Sequence, residues 1–138
     1  MNSPHMNRPV VVIDDNTTHL DFVVTLLRRA GFTAEGFTRA KRALEYVRGS
    51  ETAVIVTDLF MPDMDGIEVL RCVQQEIPHI GVIGISGSQW GAGNYYLSVL
   101  RSLGAAEIIA KPLDPAALIA AVERLFPQSA SSSCANVA

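Results

Sequence analysis

The sequence predicts an α/β domain in which one parallel sheet lies between two layers of helices. Short apolar runs rich in β-branched residues alternate five times with segments whose apolar residues recur every three or four positions. A glycine or a proline follows each helical segment. Because repeated βα units form parallel sheets with right-handed crossovers, the expected fold is a doubly wound (βα)5 sheet with strand order 2-1-3-4-5.

In the first half of the chain, helix 1 has the clearest pattern. Leu20, Val23, Val24 and Leu27 recur on one helical face, and Gly31 follows the last turn. The apolar runs around it are too short for helices and are rich in strand formers. The predicted strands are 9–13, 32–37 and 53–57, and the second helix is 39–48.

The second half continues the alternation. A third helix is predicted at 66–76, before Pro78, and a fourth strand at 80–85. A helix at 95–103 and a strand at 107–110 follow. The last helix begins at Pro115, because proline is favoured in the first helical position.

Length and composition fit one domain. The chain has 138 residues, of which 49% are apolar and 18% are charged. We expect one folded domain over 8–126, a disordered start at 1–7 and a disordered tail or linker at 127–138. No apolar run approaches the roughly 20 residues that span a bilayer, and the first residues lack a signal peptide's apolar segment. We therefore expect a cytoplasmic protein without a membrane partner.

The net charge of -3 argues against direct nucleic-acid binding by this domain. The two cysteines, Cys72 and Cys134, are too few for a disulfide framework or a zinc site.

Polar residues follow the predicted strands where ligands bind in open parallel sheets, beyond the strands' carboxyl ends. Strand 1 is followed by Asp14 and Asp15, and strand 3 by Asp58. Strand 4 is followed by Ser86 and strand 5 by Lys111. Taken singly, these residues also suit a helix cap, a turn or a solvated lysine. Together they place three carboxylates, a hydroxyl and an ammonium on one edge.

Three adjacent carboxylates repel one another, and a hard divalent cation such as Mg²⁺ relieves that repulsion. A carboxylate beside Mg²⁺ and a lysine can also accept a phosphoryl group, since both cations neutralise the transferred group. The sequence therefore predicts a Mg²⁺ site at Asp14, Asp15 and Asp58, and these patterns leave open which of the three carboxylates accepts the phosphoryl group. Ser86 and Lys111 are expected to contact the phosphoryl oxygens.

These strand ends make the sequence resemble the receiver domain of two-component response regulators. Four segments carry the resemblance, and they occur in the order typical of the family. They are VIDDN at 12–16, VTDLFMPDMDG at 56–66, GISG at 84–87 and AKPL at 110–113. The resemblance covers about residues 8 to 126 and implies a flavodoxin-like fold.

The resemblance also implies roles and partners. A sensor histidine kinase or a histidine phosphotransfer protein would give its phosphoryl group to Asp58, in a two-component system or phosphorelay. The backbone carbonyl of Phe60 would join the aspartates in holding Mg²⁺, with Mn²⁺ as an alternative. Lys111 and Pro112 would be joined by a cis peptide bond. Such a protein is a signalling phosphoacceptor with at most slow self-phosphorylation from small donors and self-dephosphorylation, and its downstream protein target is unknown.

One family feature is missing. The residue three before the lysine is usually an aromatic switch residue, and here it is Ile108. The segment after the switch hydroxyl of Ser86 is longer than is common and contains Trp90, Tyr95 and Tyr96. We therefore expect these three aromatics and Ile108 to form the signalling surface.

Two other functions use similar parts. A Mg²⁺-dependent phosphatase with an aspartyl nucleophile requires a second aspartate two residues later, where this chain has Phe60. A flavodoxin-like FMN carrier requires a first loop that cradles phosphate, and Asp14 and Asp15 would repel it. Shared topology does not separate these functions, but the site residues do.

Overall fold

The computed structural model describes residues 8–59, 66–87 and 101–127. They contain one five-stranded parallel sheet in the order β2-β1-β3-β4-β5, as the sequence predicts. The elements in chain order are β1 (Val10–Ile13), α1 (Thr17–Arg29), β2 (Ala34–Phe37), α2 (Ala40–Arg48), β3 (Val54–Asp58), α3 (Gly66–Glu76), β4 (Gly81–Ser86), β5 (Glu107–Ala110) and α4 (Pro115–Leu125).

The core has two layers because successive strand residues point to opposite faces of the sheet. Val10 and Val12 of β1 pack on the side covered by α1 and α4. Val11 and Ile13 pack on the side covered by α2 and α3. All four side chains are almost completely buried, and each such burial contributes about 1.5–3 kcal/mol.

The start of the second strand differs from the prediction. The predicted strand 32–37 begins only at Ala34, because the turn that ends α1 continues through Phe32, whose N–H donates to the Leu27 carbonyl at 3.1 Å. Gly31 has a φ of 99°, which glycine adopts without strain. Phe32 is apolar for a different reason, since it is buried against Phe126 with ring centroids 5.7 Å apart.

Capping residues fix where two helices begin. The Asn16 side chain accepts the His19 backbone N–H at 3.0 Å and starts α1. Asp114 caps α4 in the same way by accepting the Ala116 N–H at 3.2 Å, and Pro115 occupies the first turn as predicted. The first cap matters for function, because it places the first turn of α1 directly after the end of β1.

Several predictions concern residues outside the described ranges. They include most of the helix at 95–103, of which only 101–103 are described, with Arg101 and Ser102 helical and Leu103 in the turn that follows. The terminal segments 1–7 and 128–138 also lie outside those ranges. Among the helices that the structure describes, none has the length and apolar character needed to cross a bilayer.

Candidate functional site

Three aspartates meet at the carboxyl edge of the sheet. Asp14 and Asp15 follow β1, and Asp58 is the last residue of β3. One carboxylate oxygen from each lies within 4.8 Å of the others. Asp14 is 2% exposed and Asp58 is 7% exposed, whereas Asp15 is open to solvent. Two carboxylates are therefore held out of water beside a third.

The register of the sheet brings these residues together. Ile13 pairs with Thr57 across β1 and β3, so the residues that follow each of them are neighbours. Backbone hydrogen bonds continue one residue beyond these strands. The Asp14 N–H donates to the Phe37 carbonyl at 3.0 Å. The Leu59 N–H likewise donates to the Ile85 carbonyl at 3.0 Å.

Lys111 and Ser86 lie at the same edge, as the sequence predicts. The Lys111 ammonium is 3.5 Å from Asp58 Oδ2, and its side chain is one-third exposed. The Lys111 backbone N–H donates to the Ser86 carbonyl at 2.8 Å, which ties the ends of β4 and β5 together. Ser86 is 8% exposed, and its hydroxyl donates to the Gly87 carbonyl at 3.4 Å. The Lys111–Pro112 peptide bond is cis, as expected.

The donor set at this edge fits a hard divalent cation. Three carboxylates converge, and Mg²⁺ is bound in proteins through oxygen ligands, commonly one or two carboxylates with retained waters. A cation would also offset the mutual repulsion of Asp14, Asp15 and Asp58. Phe60, whose carbonyl was expected to complete the ligand set, lies outside the described residues.

His19 is a site residue that the sequence analysis missed. Its Nδ1 lies 2.5 Å from Asp14 Oδ2. His19 is the third residue of α1, and helical side chains lean toward the helix N-terminus, which directs this ring back to the end of β1. The available signal was an N-cap, Asn16, that lies between a strand-end aspartate and a histidine in the first helical turn.

A tightly packed leucine next to the central aspartate was also missed. Leu59 is completely buried and lies between two glycines. A Cβ at Gly84 would be 2.8 Å from Leu59 Cδ2, and one at Gly66 would be 2.5 Å from the same atom. Real Cβ contacts are longer than this, so both positions require glycine while Leu59 stays in place. This packing fixes the backbone that carries Asp58.

The expected signalling surface is described only in part. Ile108 lies in β5, pairs with Gly84 of β4 and is half-buried. Trp90, Tyr95 and Tyr96 lie outside the described residues.

Comparison with known protein families gives one match over most of the chain. The family model described as "Response regulator receiver domain" matches residues 10–123. Among curated proteins, the transcriptional regulatory protein FixJ of Azorhizobium caulinodans is 35% identical over 123 residues, which is 88% of this chain and 56% of FixJ. The two-component response regulator ORR7 of Oryza sativa is 30% identical over 85% of this chain and 56% of its own length. The chain thus spans about half the length of these relatives.

Solved structures give the same result. A crystal structure titled FixJ-N is 29% identical, has a TM-score of 0.76 and covers 91% of this chain and 94% of its own. A response regulator receiver domain protein from Clostridium thermocellum is 26% identical with a TM-score of 0.77, over 86% of this chain and 93% of its own.

Proposed function

The chain belongs to the response regulator receiver domains of two-component systems, and from this premise we propose that Asp58 is its phosphoacceptor. One observation carries the proposal. Asp58 ends the central strand of the sheet, with oxygens of Asp14 and Asp15 within 4.8 Å and the Lys111 ammonium at 3.5 Å. Of the acidic residues described, this carboxylate has both other carboxylates and a lysine around it.

The proposed reaction transfers a phosphoryl group from a phosphohistidine to Asp58. An Asp58 carboxylate oxygen attacks the phosphorus of a phosphohistidine, a new P–O bond forms, and the P–N bond breaks. The electron pair of the broken bond stays on the donor's imidazole nitrogen. Lys111 lies where its positive charge neutralises the phosphoryl oxygens on Asp58.

Receiver domains bind Mg²⁺ at an acidic pocket, and we assign that pocket here to Asp14, Asp15 and Asp58. The resemblance adds the Phe60 carbonyl as a ligand, and Mn²⁺ is the alternative ion. When bound, the ion supplies positive charge that offsets the carboxylates and the phosphoryl oxygens. The protein's own contribution is to hold the three carboxylates converged before any ion arrives.

Output is proposed to begin at Ser86. Its hydroxyl is at the end of β4, next to the strand that carries Asp58, and would turn from the Gly87 carbonyl toward a phosphoryl oxygen. Because Ile108 replaces the usual aromatic switch residue, the change is proposed to pass to Trp90, Tyr95 and Tyr96 in the segment after Ser86.

The donor is proposed to be a sensor histidine kinase or a histidine phosphotransfer protein, and the target another protein. The proposed receiver domain spans 8–126, acts in the cytoplasm, and has at most slow self-phosphorylation and self-dephosphorylation activity. The net charge of -3 supports a domain that does not contact nucleic acid directly. The phosphatase and the FMN carrier are not favoured, since the family match covers residues 10–123.

A small phosphodonor tests the proposal without the cognate kinase. Incubation with acetyl phosphate and Mg²⁺ should add one acid-stable, base-labile phosphoryl group to the wild-type chain, measured by intact-protein mass spectrometry. Asp58→Asn should gain none. Asp21→Asn is the matched control, because Asp21 is an exposed aspartate on α1 outside the cluster. Equal labelling of the Asp58 variant and the wild type would rule out this assignment.

A further inference from the structure

The Asp14 carboxylate is held by two donors from the beginning of α1. Its Oδ1 accepts the Asn16 backbone N–H at 3.0 Å, and its Oδ2 contacts His19 Nδ1 at 2.5 Å. The carboxylate itself is 3% exposed, and the His19 side chain is 21% exposed. For Asp15, the described residues provide no comparable hydrogen bond. Asp14 is thus the oriented member of the adjacent pair.

The chemistry of the contact sets the direction of the hydrogen bond. An ionised carboxylate can only accept, so His19 Nδ1 carries the hydrogen and donates it to Asp14 Oδ2. A carboxylate offers about four lone-pair sites, and the two donors use one on each oxygen. The remaining sites stay available to a cation, while rotation of the carboxylate is restricted from both sides.

We propose that His19 is a positioning residue that holds the Asp14 carboxylate in the orientation that receives the divalent cation. This inference rests on the proposed function of the aspartate cluster. A carboxylate that is already oriented loses little rotational freedom when the ion binds, so affinity is gained without a direct contact between His19 and the ion. Without the imidazole, Oδ2 would be a buried acceptor with no donor, and the carboxylate could turn away.

The alternative interpretation is that His19 opposes metal binding, and it predicts the opposite change in metal affinity. If His19 competed with the ion for Asp14, its removal would tighten metal binding. Positioning predicts weaker binding. The two are therefore separated by the direction of one measured change.

Two substitutions isolate the hydrogen bond from the packing. His19→Phe keeps an aromatic ring, including the packing against Phe22 at a centroid distance of 6.2 Å, and removes the donor. His19→Asn removes the ring and keeps a short side chain with a donor near the position of Nδ1. His79→Phe is the matched control, since His79 is an exposed histidine at the other edge of the sheet.

Metal affinity is measured directly at pH 8 by electron paramagnetic resonance of free Mn²⁺, with Mg²⁺ as competitor. His19→Phe should weaken the binding of both ions by about 10–100-fold, the usual effect of removing a partner of a metal ligand. His19→Asn should restore most of the affinity, and His79→Phe should match the wild type. Phosphorylation of His19→Phe by acetyl phosphate should require more Mg²⁺ but reach the wild-type rate at saturation.

Unchanged or tighter binding in His19→Phe, with a wild-type chain that binds, would overturn the positioning role and leave the proposed function standing. So would a His19→Asn variant as weak as His19→Phe. A wild-type chain that binds neither ion would overturn the proposed function and this inference together. Thermal melting confirms that each variant is folded, and His19→Leu replaces the phenylalanine variant if that one does not fold.

Discussion

Charged side chains are arranged differently at the two edges of the sheet, where the carboxyl ends and the amino ends of the strands lie. At the carboxyl edge, three carboxylates crowd within 4.8 Å, two of them buried, and the lysine contact is 3.5 Å long. At the amino edge, Arg48 and Glu76 form a bidentate pair at 2.7 and 3.1 Å, with both side chains about half exposed. The first arrangement costs folding energy and creates a site, whereas the second is geometrically satisfied and contributes little. The proposed site therefore lies where charge is least well compensated.

The packing around Leu59 gives the largest expected change in stability. Gly84→Ala would bring a Cβ to 2.8 Å from Leu59 Cδ2, and overpacking of this kind costs about 1–3 kcal/mol. Chemical denaturation should show that loss of stability. A separate phosphorylation assay should show that Asp58 is phosphorylated more slowly. Gly49→Ala is the control, because its Cβ would meet nothing closer than 3.9 Å. Equal stability of Gly84→Ala and wild type would show that Leu59 is free to move.

Removing a charge at the carboxyl edge should increase stability, whereas overpacking at Gly84 should decrease it. Asp15→Asn removes one charge of the cluster and, without metal, should raise the free energy of unfolding by about 1 kcal/mol. Asp14→Asn should gain less, because it also weakens the contacts with Asn16 and His19. Both should lose stabilisation by Mg²⁺, Asp15→Asn more completely, as measured by melting with and without the ion. A lower metal-free melting temperature for Asp15→Asn would contradict the idea of uncompensated charge.

Lys111→Ala separates the site's function from its stability. The Lys111 side chain is one-third exposed and makes one long contact with Asp58, so little folding energy should be lost. In the proposed function, its charge is needed once a phosphoryl group is present. Beryllofluoride with Mg²⁺, a mimic of the acyl phosphate, should change the amide NMR spectrum of the wild type around Ser86 and change that of Lys111→Ala much less. The same spectral response in both proteins would remove Lys111 from the switch.

Breaking the Arg48–Glu76 pair at the amino edge should give the smallest change in stability. The hydrogen bond from Arg48, with the attraction of its charge, lowers the pKa of Glu76 below its usual value, against a smaller opposing effect of desolvation. A carboxyl whose pKa is lower in the folded state stabilises the fold above its unfolded pKa, near 4.3, and loses that contribution as the pH falls through its folded value. Arg48→Gln should therefore leave stability at pH 7 nearly unchanged and make the decline in stability below pH 5 slightly shallower. A steeper decline would contradict this sign.

The sequence was sufficient for the order of the elements and for the aspartate cluster. Both depend on periodicity and on residues at strand ends, which are local patterns. The helix at 66–76 and the strand at 107–110 were predicted with the bounds that the structure shows. The second strand was placed too early because Phe32 is apolar, although it packs against Phe126 from a turn.

The missed features depend on contacts across turns. The bond from His19 to Asp14 requires the direction in which α1 leaves β1, and that direction is set by the Asn16 cap. The space around Leu59 depends on two glycines that are distant from each other in sequence. Neither contact has a periodic pattern in the sequence.

The most direct test of the central assignment is the location of the phosphoryl group itself. The wild-type chain is incubated with phosphoramidate, whose P–N bond is of the same type as that in phosphohistidine, together with Mg²⁺, and the modified peptide is identified by mass spectrometry. We expect one base-labile acyl phosphate on Asp58. A phosphoryl group found instead on His19 or on Asp15 would contradict the assignment.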